Sequence, residues 1–139
     1  MQRAVIDTNI WVSGLIWHGP PRVFVQRILS RQLHSIVSAE MVAEFQRVLN
    51  YPRISSVLLK RGLVAAILQC KSDWSRSWLC RHRCRHPYAG DPDDDAILAC
   101  ALAGAADVIV SGDSDLLVLA QYQGIQILTT SQVLARLSF

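Results

Sequence analysis

Short apolar strand cores alternating with amphipathic helices predict an α/β fold, with a mostly parallel sheet covered by helices on both faces as three α/β/α layers. Three observations carry this expectation. Strand cores recur at Val5-Ile6, His34-Ser35-Ile36-Val37-Ser38, Val108-Ile109-Val110 and Ile125-Gln126-Ile127-Leu128. Helical spacing follows each of them. Aspartates then stand where strands should end and helices begin, as in Ile6-Asp7-Thr8, in Asp91-Pro92-Asp93-Asp94-Asp95 and in Ser111-Gly112-Asp113-Ser114-Asp115. In open parallel sheets that junction is where ligands bind.

The elements follow in order. After Val5-Ile6, a helix runs through Ile10, Val12, Ser13 and Leu15. Gly19-Pro20-Pro21 punctuates, and Pro21 can begin a helix through Val23, Phe24, Arg27, Ile28 and Leu29. The second strand, 34–38, ends in Ser38, which suits an N-cap for a helix over 39–49. Pro52 should stop that helix, with another over 56–71. Residues 73–90 are the least regular, with a short strand expected around 77–80 that would bring the sheet from four strands to five. Asp91 reads as an N-cap with Pro92 at the first helical position, opening a helix to about Ala103. A strand over 108–111, a short helix over 114–120, a strand over 125–128 and a final helix from Ser131 complete the pattern.

The chain of 139 residues is 51% apolar, enough for a real core, and is expected to be one domain spanning 1–139. No apolar run approaches the roughly 20 residues of a membrane helix. Asp7 interrupts the stretch a signal peptide would need, and four cysteines suit reduced thiols, so the expected location is cytoplasmic. The net charge of +3 conceals an asymmetry. Of eleven acids only Glu40, Asp73 and Asp107 lie away from the suspected site, against fourteen Arg and Lys. An acidic pocket in a basic exterior suits a polyanionic substrate with metal ions neutralising the pocket.

Phosphodiester cleavage needs an activated water and charge neutralisation, which hard divalent cations held by a few carboxylates supply. Asp7 ends a strand that would hold its carboxylate rigidly, and Thr8 and Asn9 can bond the turn backbone or Asp7 itself. Asp91, Asp93 and Asp94 are explained by capping and the helix dipole. Asp95 lies about a turn deeper, on the stripe of Leu98, Ala99 and Leu102, so it is the choice from that run. Of Asp113 and Asp115, one can ligate metal while the other caps the Ser114 helix. Glu44 sits beside Phe45 on its helix, whereas Glu40 falls in the first turn.

These residues, in this order, resemble the PIN-domain ribonucleases, particularly the VapC-like toxins of prokaryotic toxin–antitoxin pairs. The matching motifs are Val5-Ile6-Asp7-Thr8-Asn9, Ser38-Ala39-Glu40 leading to Glu44-Phe45, Asp91-Pro92-Asp93-Asp94-Asp95, Val110-Ser111-Gly112-Asp113-Ser114-Asp115 and Gly124-Ile125 through Thr129. The resemblance implies a compact PIN-like α/β/α fold and endonucleolytic hydrolysis of RNA with Mg²⁺ or Mn²⁺, leaving a 5′-phosphate and a 3′-hydroxyl. It implies Asp7, Glu44, Asp95 and Asp113 as catalytic acids, with Asp7, Asp95 and Asp113 on the metal and Thr8, Asn9, Ser111 and Asp115 in support. Whether Asp115 assists or replaces Asp113, and whether one metal binds or two, it leaves open. A homodimer and a small antitoxin partner are also implied. Ser111 departs from the Thr of many relatives but keeps the hydroxyl.

Arg81, Arg83 and Arg85, near Trp74, Trp78 and Tyr88, are candidates for RNA contact by charge and stacking; a solvated basic loop is the plainer alternative. Cys80, Cys84, His82 and His86 lack a second ligand pair at zinc-finger distance. Trp11 and Trp17 suit packing or a dimer contact, and Cys70 and Cys100 suit packing. A phosphatase of the haloacid dehalogenase type would need an acid where Asn9 stands. The non-enzymatic alternative is an RNA- or partner-binding module of the same fold without turnover.

Overall fold

A computed structural model of the chain describes residues 3–16, 19–30, 33–60, 62, 78–80 and 92–137. Within them lie strands β1 (Arg3–Ile6), β2 (His34–Ser38), β3 (Trp78–Cys80), β4 (Val108–Val110), β5 (Gln121–Tyr122) and β6 (Ile125–Leu128). The helices are α1 (Thr8–Ile16), α2 (Pro20–Leu29), α3 (Ala39–Leu49), α4 (Pro52–Lys60), α5 (Pro92–Ala103), α6 (Ser114–Leu117) and α7 (Thr130–Leu137). Among these residues no helix is long and apolar enough to cross a membrane.

The strands form one sheet in the order β3-β2-β1-β4-β6-β5. Every neighbouring pair is parallel except β5 with β6. The expected strands are all present, including the short one near residue 80, so the parallel part is the anticipated sheet. β1 is central, with Ala4, Val5 and Ile6 at most 1% exposed. From β1 the chain moves outward to β2 and β3, then returns to β4 on the other side of β1 and continues to β6. The strand order therefore reverses between β1 and β4, and in sheets of this kind ligands bind outside the carboxyl ends of the strands at such a reversal.

Alternation along the strands divides the core between the two faces. Ala4, Ile6, Val108 and Val110 join Trp11, Phe24, Ile28, Phe45, Leu58 and Val133 from α1, α2, α3, α4 and α7. Val5, Ile36 and Ile109 join Leu98, Ala101 and Leu116 from α5 and α6. α3 contributes to both clusters, Phe45 to the first and Met41 to the second. Trp11 is 1% exposed within the first cluster, as its expected packing role requires. Cys100 is likewise buried, as its packing role requires.

Local chemistry explains most boundaries. Ser38 caps α3 by accepting the Met41 N–H at 3.2 Å. α4 begins at Pro52, earlier than the expected start at 56, because proline is tolerated in a first helical turn where its missing N–H has no helical partner. The part of that helix expected beyond Lys60 lies outside the described residues apart from Gly62, which sits in a turn. α6 stops at Leu117, short of the expected 120, and the chain passes through Ala120 at φ 60° into a hairpin. That hairpin supplies β5, which sequence reading missed. Tyr122 pairs with Ile125 across Gln123 (φ 48°) and Gly124 (φ 83°), a two-residue turn with both central residues left-handed.

Candidate active site at the carboxyl end of the sheet

Asp7 follows β1 directly, and its backbone is held on both sides. Its N–H donates to the Val110 carbonyl at 2.9 Å, and its own carbonyl accepts the Ile10 N–H at 2.9 Å. The side chain is 7% exposed. Oδ1 accepts the Asn9 N–H at 3.1 Å, which caps the start of α1, and Oδ2 accepts the Ser111 hydroxyl at 2.9 Å. A carboxylate taken this far from water is costly unless donors surround it, and here they come from two directions. The turn role and the cross-strand role therefore coexist in one residue.

Ser111 stands in the matching place after β4 and is fully buried. Its N–H continues the ladder to the Leu128 carbonyl at 3.0 Å. The hydroxyl that donates to Asp7 also accepts the Asp113 N–H at 3.0 Å. Asp113, half-buried, caps α6 through Oδ1, which accepts the Asp115 N–H at 3.0 Å. Of the two acids expected to divide the capping and metal roles, Asp113 thus makes the cap, and it keeps a second carboxylate oxygen. Asp115 is exposed in the first turn of the helix.

Glu44 reaches this region from α3 and is half-buried. Thr8, 3% exposed, donates its hydroxyl to Glu44 Oε2 at 3.4 Å. This differs from the expectation that Thr8 serves the turn or Asp7; of the pair, it is the Asn9 backbone that bonds Asp7. Glu40 is exposed in the first turn of α3, where the dipole accounts for it. Asp107 belongs to the opposite end of the sheet. Its Oδ2 accepts the Arg3 N–H at 2.8 Å, and its own N–H donates to the Arg3 carbonyl at 2.8 Å.

Asp95 is placed by its backbone on α5, with Leu98 and Ala99 buried three and four residues on and Leu102 half-buried. The side chains of Asp93, Asp94 and Asp95, all of Asp91, and Arg81, Arg83 and Arg85 lie outside the described residues. So do Trp17, Cys70, Trp74, Tyr88, and the Cys84, His82 and His86 of the weighed zinc cluster. Among the described residues no group of three His, Cys, Asp or Glu is close enough to hold a metal ion. The structure thus brings together Asp7, Ser111 and Asp113, and Thr8 with Glu44, at the reversal between β1 and β4.

A mostly parallel α/β sheet with Asp7 and Asp113 beyond the ends of two adjacent strands is consistent with a nuclease-type fold. A family model described as PIN domain matches residues 3–115, and the chain belongs to the PIN-domain family. PIN domains are generally nucleases, which supports a hydrolase. No curated protein and no solved structure matches the chain significantly.

Proposed function

We propose that this protein is a metal-dependent endoribonuclease that hydrolyses RNA phosphodiesters, the toxin of a toxin–antitoxin pair. The observation that carries the nuclease reading is the buried Asp7 carboxylate, bonded by Ser111 at the point where the strand order reverses, in a chain of the PIN-domain family. The toxin reading, with its small antitoxin and homodimer, rests on the VapC-like motifs alone.

The donor types suit a hard cation, although among the described residues no three acids lie close enough to hold one, so Asp95 is needed to complete a site. Asp7, Glu44 and Asp113 offer carboxylate oxygens and no sulfur or imidazole, the set that Mg²⁺ and Mn²⁺ prefer. Asp7, Asp113 and Asp95 would hold the ion, with Glu44 as the fourth acid. Bound there, the ion supplies an activated water and neutralises charge on the phosphate. The chain's own contribution is orientation: Ser111 and the Asn9 N–H fix both oxygens of Asp7, and Ser111 anchors the backbone of Asp113.

The test is cleavage of a mixed-sequence single-stranded RNA by the purified protein with Mg²⁺ or Mn²⁺ against EDTA, beside Asp7→Asn. Metal-dependent cutting lost in the variant supports the nuclease. RNA retained without cutting, and no metal binding by calorimetry, would favour a binding module. The toxin reading is tested separately: expression of the wild type, and not of Asp7→Asn, should arrest bacterial growth.

A further inference from the structure

The Thr8 hydroxyl is buried, and a buried hydroxyl needs a partner. Its position is set by its neighbour, since Asp7 is tied through its backbone to both β4 and α1. Glu44 stands at a half-buried position on a different helix. The bond from Thr8 Oγ1 to Glu44 Oε2, at 3.4 Å, joins the rigid strand end to that side chain. At this length its direct strength is modest.

We propose that Thr8 is a positioning residue that sets the carboxylate of Glu44 toward Asp7 at the strand ends. The inference rests on the metal-dependent reading above and adds a role for a residue that does not itself touch the cation. A threonine satisfying only its own hydroxyl would use Glu44 as an incidental acceptor, and its loss would affect folding without affecting the metal. A positioning threonine affects the metal through Glu44 alone. Groups that orient metal ligands commonly change affinity or rate severalfold or more when removed.

The experiment is a double-mutant cycle of Thr8→Val with Glu44→Gln, alongside Thr8→Ser. Mn²⁺ is titrated into metal-free protein by calorimetry, and single-turnover cleavage of single-stranded RNA is followed in parallel. Thermal melts of the metal-free proteins report folding. Thr8→Val should weaken Mn²⁺ binding and slow cleavage by about three- to tenfold. Thr8→Ser should restore most of both, and Thr8→Val should add little in the Glu44→Gln background. Unchanged Mn²⁺ binding in Thr8→Val, a Thr8→Ser variant as impaired as Thr8→Val, or fully additive losses with Glu44→Gln would each overturn the inference. Should Thr8→Val fail to fold, Thr8→Ala takes its place in the cycle with the same expectations. If the wild type neither binds Mn²⁺ nor cleaves, the metal-dependent reading fails first and the inference with it. Wild-type cleavage that Asp7→Asn abolishes and Thr8→Val leaves intact overturns the inference alone.

Discussion

Ser111 donates its hydroxyl to Asp7 Oδ2 at 2.9 Å, joining the residues that immediately follow two adjacent parallel strands. The same oxygen accepts the Asp113 N–H, so one buried side chain both orients a carboxylate and anchors the backbone of a second acid. Removing it should therefore have two separable effects. Ser111→Ala should cost about 1–3 kcal/mol of stability, because a buried carboxylate and a backbone donor each lose a partner. Cleavage by the folded variant should fall about tenfold or more. Urea unfolding of metal-free protein and single-turnover kinetics measure the two.

Metal should stabilise the folded chain by mass action, with Asp7 required. At a free Mn²⁺ concentration roughly 100 times its Kd, the wild type should gain about 2.7 kcal/mol, seen as a higher Tm that EDTA reverses. In Asp7→Asn that gain should largely vanish. The amide can still accept the Asn9 N–H, and it removes one charge from the acidic cluster, so the metal-free variant should melt within a few degrees of wild type. A wild type whose Tm ignores both Mn²⁺ and EDTA would count against the metal site.

Gly14 and Gly112 should respond oppositely to alanine. A Cβ on Gly14 would lie 2.4 Å from Val25 Cγ2 and 2.8 Å from the Pro21 carbonyl oxygen, forcing α1 and α2 apart. Despite alanine's better helix propensity, Gly14→Ala should lose about 1–3 kcal/mol. A Cβ on Gly112 meets only Ile10 Cδ1 at 3.9 Å, so Gly112→Ala should stay within about 0.5 kcal/mol of wild type. Denaturant midpoints of both variants test the contrast.

The β5–β6 turn holds Gln123 at φ 48°, a conformation that glycine and asparagine adopt more readily than glutamine. Gln123→Gly should therefore stabilise the protein by about 0.5–1 kcal/mol, read as a raised Tm. Destabilisation would mean that contacts of the glutamine side chain outweigh the backbone gain.

The parallel sheet was legible because short apolar cores such as Val5-Ile6, Ile36-Val37 and Val108-Ile109-Val110 recur between helical stretches, and α3 because Ser38 announces it. β5 was not: asparagine or aspartate before glycine is the usual mark of such a turn, and Gln123-Gly124 lacks it. Pro52 was read as a stop when it is also permitted as a start. In the site, Asp7 and Asp113 could be placed at the same end of the sheet because both follow strands, whatever their separation along the chain, whereas the bond from Ser111 to Asp7 could not be read. The partner of Thr8 could not be read, since Glu44 lies 36 residues away on a helix whose rotation depends on tertiary packing. Motif spacing likewise said nothing of which oxygen of Asp113 serves the cap.

The bond between Asp7 and Ser111 spans 104 positions of sequence. Asp7 and Glu44 come from the first half of the chain and Ser111 and Asp113 from the second, meeting where β1 lies against β4. During synthesis the first half is made long before its counterpart, and closing so wide a loop is among the slower steps of folding. The bond that joins Asp7 to Ser111, and through it to Asp113, therefore forms only when the two halves have docked. A truncated or half-folded chain would carry the acids without their geometry, so any activity built on them is withheld until folding is complete.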